Sequence, residues 1–181
     1  MDKHVSPPKL DVKHAGLPLQ QLAGQDVLSN YERVMLETNG LGAQNSLNWS
    51  ARTESRPDAA GQPQVWLHLA LALSLPLTCQ RCLRPVDVQV EINRDFRFVA
   101  TEAQAELEDD ASEEDLLVAS VDFELAALIE DEILLAWPLV SRHEVCPVSL
   151  KLAVADADFN QANEKPNPFA ALAQLKKTLP H

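Results

Sequence analysis

Between Val65 and Leu77 every odd position is apolar: Val65, Leu67, Leu69, Leu71, Leu73, Leu75 and Leu77. Successive side chains of a strand point to opposite faces, so this period of two predicts a long strand with one buried face. Upstream, Leu47, Trp49 and Ala51 alternate with Ser46, Asn48, Ser50 and Arg52. A polar turn containing Pro57, Asp58, Gly61 and Pro63 separates the two runs. A third run uses Val88, Val90, Ile92, Phe96 and Phe98, with Arg94 interrupting the apolar row. The pattern predicts an antiparallel meander of at least three strands. Its second connection, Thr78 to Asp87, carries Cys79 and Cys82.

On either side of the meander the period changes. Gly16 is placed to close a short helix over about Lys9 to Ala15. Ser29 followed by Glu32 has the spacing of a capping box, in which each side chain satisfies a backbone N–H near the other. It predicts a helix from about Asn30 to Thr38, stopped by Asn39-Gly40. Asp122 opens a helix to about Ala136, with Leu125, Leu128, Ile129, Ile133 and Ala136 as its apolar stripe and Trp137-Pro138 as its stop. Glu132 falls inside that stripe. It either reaches the rim or pairs with an arginine, or it is a buried acid oriented toward the cysteine turn. Asn167 and Pro168 make a good helix start, with Phe169, Leu172 and Leu175 on one side of the helix that follows. The expected fold is α+β: an antiparallel β meander or partly open barrel, a helix packed after the sheet, and short terminal helices. Residues 1–150 are expected to form one domain, 151–166 a linker, and 167–181 a short helix and tail.

Charge narrows the function. The chain of 181 residues has 46% hydrophobic residues and a formal net charge of -12. Affinity for nucleic acid comes largely from Lys and Arg displacing counterions, so this balance argues against a general RNA or DNA binder and favours a basic protein partner. Residues 102–115 hold Glu102, Glu106, Glu108, Asp109, Asp110, Glu113, Glu114 and Asp115 with no basic residue. That run reads as a solvated loop, or as a lure for a basic partner. No apolar segment follows the N-terminus as a secretory signal would require, and His68, Ser74 and Pro76 interrupt the longest apolar stretch. With an odd number of cysteines, three, the expected compartment is reducing, the cytoplasm, with no membrane attachment.

The candidate chemistry centres on cysteine. Cys79-x-x-Cys82 in a strand-to-strand turn lets two thiolates converge on one ion, and His143-x-x-Cys146 supplies a second pair. Together they predict a structural zinc site of Cys79, Cys82, His143 and Cys146. The alternatives are reduced thiols beside an unrelated His and Cys, or a redox pair, although no βαβ pattern surrounds the motif. Arg81, Arg84, Arg94 and Arg97 form a candidate basic patch for phosphate or an acidic element, unless the abundant carboxylates, Glu132 among them, pair with them internally. No glycine-rich phosphate loop, Gly-x-Ser-x-Gly elbow or His-Glu-x-x-His helix appears. No small-molecule substrate is evident, and an enzyme is not expected.

Three segments stand in a specific order: Cys79-Gln80-Arg81-Cys82-Leu83, the stretch Leu128 to Pro138 around Glu130-Asp131-Glu132, and Lys165-Pro166-Asn167-Pro168-Phe169. This combination resembles the bacterial YceD family of large ribosomal RNA subunit accumulation proteins, over roughly Leu47 to Leu175. Trp137 departs from the aliphatic residue more usual there. The resemblance implies a non-enzymatic accessory role in synthesis, processing or stability of large-subunit ribosomal RNA. The expected partner is a ribosomal protein or an rRNA-processing or assembly factor. Contacts are expected at the acidic loop and at the C-terminal helix with Asn167, Pro168 and Phe169, with Glu132 as a further candidate. Direct RNA contact through Arg81, Arg84, Arg94 and Arg97 is the competing expectation.

Overall fold

The computed structural model describes residues 5–13, 20–58, 60–149, 154 and 169. The chain divides into two units, Met1–Val145 and Cys146–His181, and every described helix and strand lies in the first. In order these are β1 (Lys9–Leu10), β2 (Gln21–Val27), α1 (Glu32–Glu37), β3 (Ser46–Pro57), β4 (Pro63–Thr78), β5 (Pro85–Val99), α2 (Glu102–Glu108), β6 (Asp115–Val118), β7 (Phe123–Glu124) and α3 (Leu125–Leu135).

The period-two runs form the sheet they predict. Strands β2 to β6 make a five-stranded sheet in sequence order, antiparallel except for β6, which lies parallel to β5. The architecture is thus α+β with a partly open sheet rather than a closed barrel. Leu71 of β4 sits between Trp49 of β3 and Ile92 of β5, and the same register runs along the ladder. Leu47, Leu67, Leu69 and Leu75 are fully buried on this inner face. Leu125, Ile129 and Ile133 of α3 bury the same face from above, because residues three and four apart share one helix side. Burial of each such side chain contributes about 1.5–3 kcal/mol relative to exposure. The outer face, with Asn48, Arg52, Glu54, His68 and Glu91, is polar.

Four expectations are corrected. The segment from Lys9 is strand β1, not a helix, and it pairs with β7 through Lys9↔Glu124 and Leu10↔Phe123. The stretch from Gln21 to Val27, where the hydrophobic pattern predicts no element, is strand β2. Its Gly24 lies against the Trp49 ring, where a Cβ would come within 2.9 Å of Cζ2. The ring's Nε1–H donates to the Val5 carbonyl at 3.0 Å. The capping box at Ser29 does not form: Tyr31 is the N-cap of α1 without a side-chain bond, and Leu28–Asn30 is a 3-10 turn. The acidic run is not a loop. It is helix α2, capped by Thr101 Oγ1 accepting from the Gln104 N–H, then a 3-10 turn and β6. The linker and the C-terminal helix with Asn167 and Pro168 lie outside the described residues. Among the described residues no helix is long and apolar enough to cross a membrane.

Near α1 the carboxylate of Asp26, 1% exposed, accepts from the Val27 N–H, Asn30 Nδ2 and the Tyr31 hydroxyl. Burial, with Asp26 beside it, holds the Tyr31 hydroxyl well above its ordinary pKa. This satisfied network anchors the β2–α1 corner and is structural in character.

Candidate metal centre and charge clusters

The cysteine turn closes the β4–β5 hairpin. Cys79 N–H donates to the Arg84 carbonyl at 2.9 Å, and Leu83 N–H donates to the Cys79 carbonyl at 2.8 Å. Leu83 takes a left-handed φ of 59°, uncommon without glycine, and its side chain projects into solvent. The segment after α3 is strapped across this turn. Gln80 N–H donates to Ser141 C=O at 2.9 Å, Ser141 Oγ donates to Thr78 C=O at 2.7 Å, and Arg81 donates to the carbonyls of His143 and Glu144 at 2.8 and 3.1 Å. These bonds bring His143 Nδ1 to 3.5 Å from Cys82 Sγ. Ser141→Ala should cost about 1 kcal/mol, the usual net worth of one such bond, read as a lower denaturant midpoint with an unchanged slope.

Cys79 is fully buried, while Cys82 and His143 are half-buried. Cys146, three residues after His143, offers a fourth ligand atom, and the four ligand atoms all lie within 4.8 Å of one another. Tetrahedral zinc with bonds of about 2.0–2.3 Å needs its ligand atoms about 3.3–3.8 Å apart, so closure requires only about 1 Å of contraction. Electrostatics favour the ligating form. Burial pushes the Cys79 thiol up, but the backbone groups of His143, Cys82 and Arg81, with the His143 ring, outweigh it and hold the thiol at about 5. A thiolate at neutral pH is what a metal requires of cysteine. The donor set therefore fits a closed metal site, and this Cys3His group is able to hold an ion.

The four arginines do not gather into one patch. Arg81 is spent on the strap, and Arg84 is exposed. Arg94 and Arg97 lie on opposite faces of β5. Arg97, 6% exposed, binds Glu108 at 2.8 Å, Ser112 Oγ at 2.8 Å, and Glu114. Arg94 pairs with Asp115 and approaches Glu132 to 3.9 Å. The acidic run is thus docked onto β5 by two of the four arginines. The sequence does carry a signal for this clamp, since eight acids directly follow a strand bearing two cations.

Glu132 is 4% exposed on the inner face of α3. Burial pushes its carboxyl above the usual range, Arg94 pulls it partly back, and Asp131 adds to the rise. A carboxyl whose folded pKa is raised binds its proton more tightly in the folded state, so stability falls as pH climbs through the unfolded and then the folded pKa. Glu132→Gln should therefore melt higher than wild type near pH 8 and match it near pH 4. Equal melting at both pH values would contradict this. Phe169 is 70% exposed.

A family model described as "Large ribosomal RNA subunit accumulation protein YceD" matches residues 67–176. A curated protein of that name from Haemophilus influenzae is 35% identical over 113 residues, covering 58% of this chain. The match spans 62% of the relative's own length. No solved structure matches. The matched stretch takes in the cysteine turn, the charge clamp, α3 and the segment beyond it.

Proposed function

The chain belongs to the YceD family, and on that premise we propose that it is a non-enzymatic accessory factor in the accumulation of large-subunit ribosomal RNA, acting through a protein partner. The observation that carries the protein-partner reading is how the cations are used. In a chain of net charge -12, Arg94 and Arg97 are paired with carboxylates of their own fold, and Arg81 donates its hydrogen bonds to the backbone carbonyls of His143 and Glu144. Of the four candidate arginines, Arg84 alone remains exposed without an ion pair or a side-chain hydrogen bond among the described residues to displace counterions from phosphate. A basic ribosomal protein, or an rRNA-processing or assembly factor, is the fitting partner, and the cytoplasm is the compartment such a role requires. In this reading Cys79, Cys82, His143 and Cys146 hold one structural zinc, which joins the segment after α3 to the β4–β5 turn. With all four positions filled by protein such a site has no open position for catalysis.

The test is a pull-down of the full chain from lysate before and after nuclease treatment, beside a gel shift on naked large-subunit RNA. Partners retained after nuclease support the reading. Partners lost with the RNA, or tight salt-sensitive binding to the naked RNA, would replace it with direct contact, and Arg84→Ala would then be the first substitution to examine.

A further inference from the structure

Strand β5 is paired on one side from Pro85 to Arg97 and on the other only at its end. Its β4 partners run from Thr78↔Pro85 to Trp66↔Arg97, whereas β6 begins at Phe96↔Asp115. The Cys79–Arg84 bond sets the phase of the ladder. In an antiparallel pair bonded residues recur at every second position, so Val86, Val88, Val90, Ile92 and Arg94 bond to β4. The N–H and C=O groups of Asp87, Gln89, Glu91 and Asn93 point away from β4, and no backbone partner meets them among the described residues, whereas the Phe96↔Asp115 pairing gives the Asp95 carbonyl to β6. Pro85 fits this phase, because its missing N–H falls on the open side. The open edge spans roughly 24 Å at about 3.4 Å per residue.

Such an edge is a template for another strand, and folds ordinarily shield it with a bulge, a lysine or a covering segment. Here the inner row, Val86 and Val88, is only half-buried, while the outer row is exposed and acidic. Asp87 and Glu91 have no ion pair among the described residues, whereas Asp95 is engaged by His68. The charge chooses the occupant. A second copy docking edge to edge would set carboxylates against carboxylates, and like charges across a ladder are destabilising. A strand with Lys or Arg at alternate positions would place its cations beside Asp87 and Glu91 and its apolar residues beside Val86 and Val88. We propose that the open edge of β5 over Asp87–Asn93 captures an extended basic segment of a partner protein by strand addition. The proposal deepens the protein-partner reading above and rests on it.

The full chain is titrated with a nine-residue synthetic peptide alternating lysine and valine, and amide hydrogen exchange is followed by NMR. Exchange at Asp87, Gln89, Glu91 and Asn93 should slow at least ten-fold. An oligolysine of equal charge should not slow it. Gln89→Pro removes an N–H from the open side and leaves the β4 ladder intact. It should weaken peptide binding at least ten-fold, as should the double charge reversal Asp87→Lys with Glu91→Lys. Unchanged exchange, equal protection by oligolysine, or full binding by Gln89→Pro overturns the proposal. So does prior protection of these amides in the free protein, whether concentration-dependent from a second copy or concentration-independent from residues 155–181. The two readings fail separately. If Gln89→Pro keeps every nuclease-resistant partner, the edge is excluded and the accessory role stands. If all partners prove RNA-bridged, the accessory reading falls whatever the peptide does.

Discussion

Stripping metal from the purified protein with a chelator is expected to lower its melting temperature by about 8–16 °C, and Cys79→Ser should do the same without chelator. A ligand that binds only the folded state and is present at about 1,000 times its Kd adds about 4 kcal/mol, and each kcal/mol moves the midpoint of a chain this size by about 2–4 °C. Elemental analysis of wild type prepared without added metal should find one zinc per chain, lost in Cys79→Ser and in Cys82→Ser. The chelator separates this from packing. Cys79 is fully buried, so a serine there perturbs the core even without a metal, but a chelator leaves packing untouched. A midpoint indifferent to chelator, with no zinc in the wild type, would reduce the Cys3His group to neighbouring thiols. Acid should have the chelator's effect, since protons compete with metal for thiolate and imidazole.

Arg97→Ala should cost about 3 kcal/mol and release α2 and β6 from the sheet. Truncating one partner of a buried, hydrogen-bonded ion cluster strands the other charges, a mechanism worth about 3–5 kcal/mol when all are buried. Glu114 and Glu108 are partly solvated here, which puts the cost at the low end. Arg97→Met, which restores volume without charge, should recover little, because Glu114 remains uncompensated. Faster amide exchange confined to residues 102–118 is the decisive readout. The pH dependence has a definite sign. The Gln104 side chain and Arg97 hold the Glu108 carboxyl below its ordinary value. Its contribution is therefore complete above the unfolded pKa and is lost as pH falls through the folded one. Acid should loosen the same segment in wild type, and Arg97→Ala should be less sensitive to it. Exchange in 102–118 that ignores the substitution would make the clamp a surface ornament.

Where charge and edges were concerned, the chain was hard to read from its order alone. Leu67 to Leu77 declare their strand because alternation is a property of the segment itself, and Leu125, Ile129 and Ile133 declare α3 for the same reason. Glu108 and Glu114 read as solvated because their counter-ion, Arg97, lies on another element. Gln21 to Val27 carries no strand pattern because at an edge one neighbour suffices and its apolar face is covered only in part. The Ser29 capping box lost to backbone bonds: Ser29 N–H is taken by the Ala43 carbonyl, which holds the residue in the 3-10 turn. At the cysteine turn the candidate donor residues were legible from their spacing. Their approach to within 4.8 Å was not, since it depends on Ser141 and Arg81, whose roles no spacing announces.

By itself, then, the sequence determined which face of the meander is buried, where α3 lies, and which residues are able to ligate a metal. Each is a local matter of period or donor chemistry. Tertiary structure alone decided that the acidic run folds onto β5, that the strap closes over the cysteine turn, and that β5 keeps an open edge from Asp87 to Asn93 among the described residues. Each of those turns on residues distant in the chain, in the third case on where β6 begins its pairing with β5, and hydrophobic periodicity carries no information about which strand stops short of its neighbour.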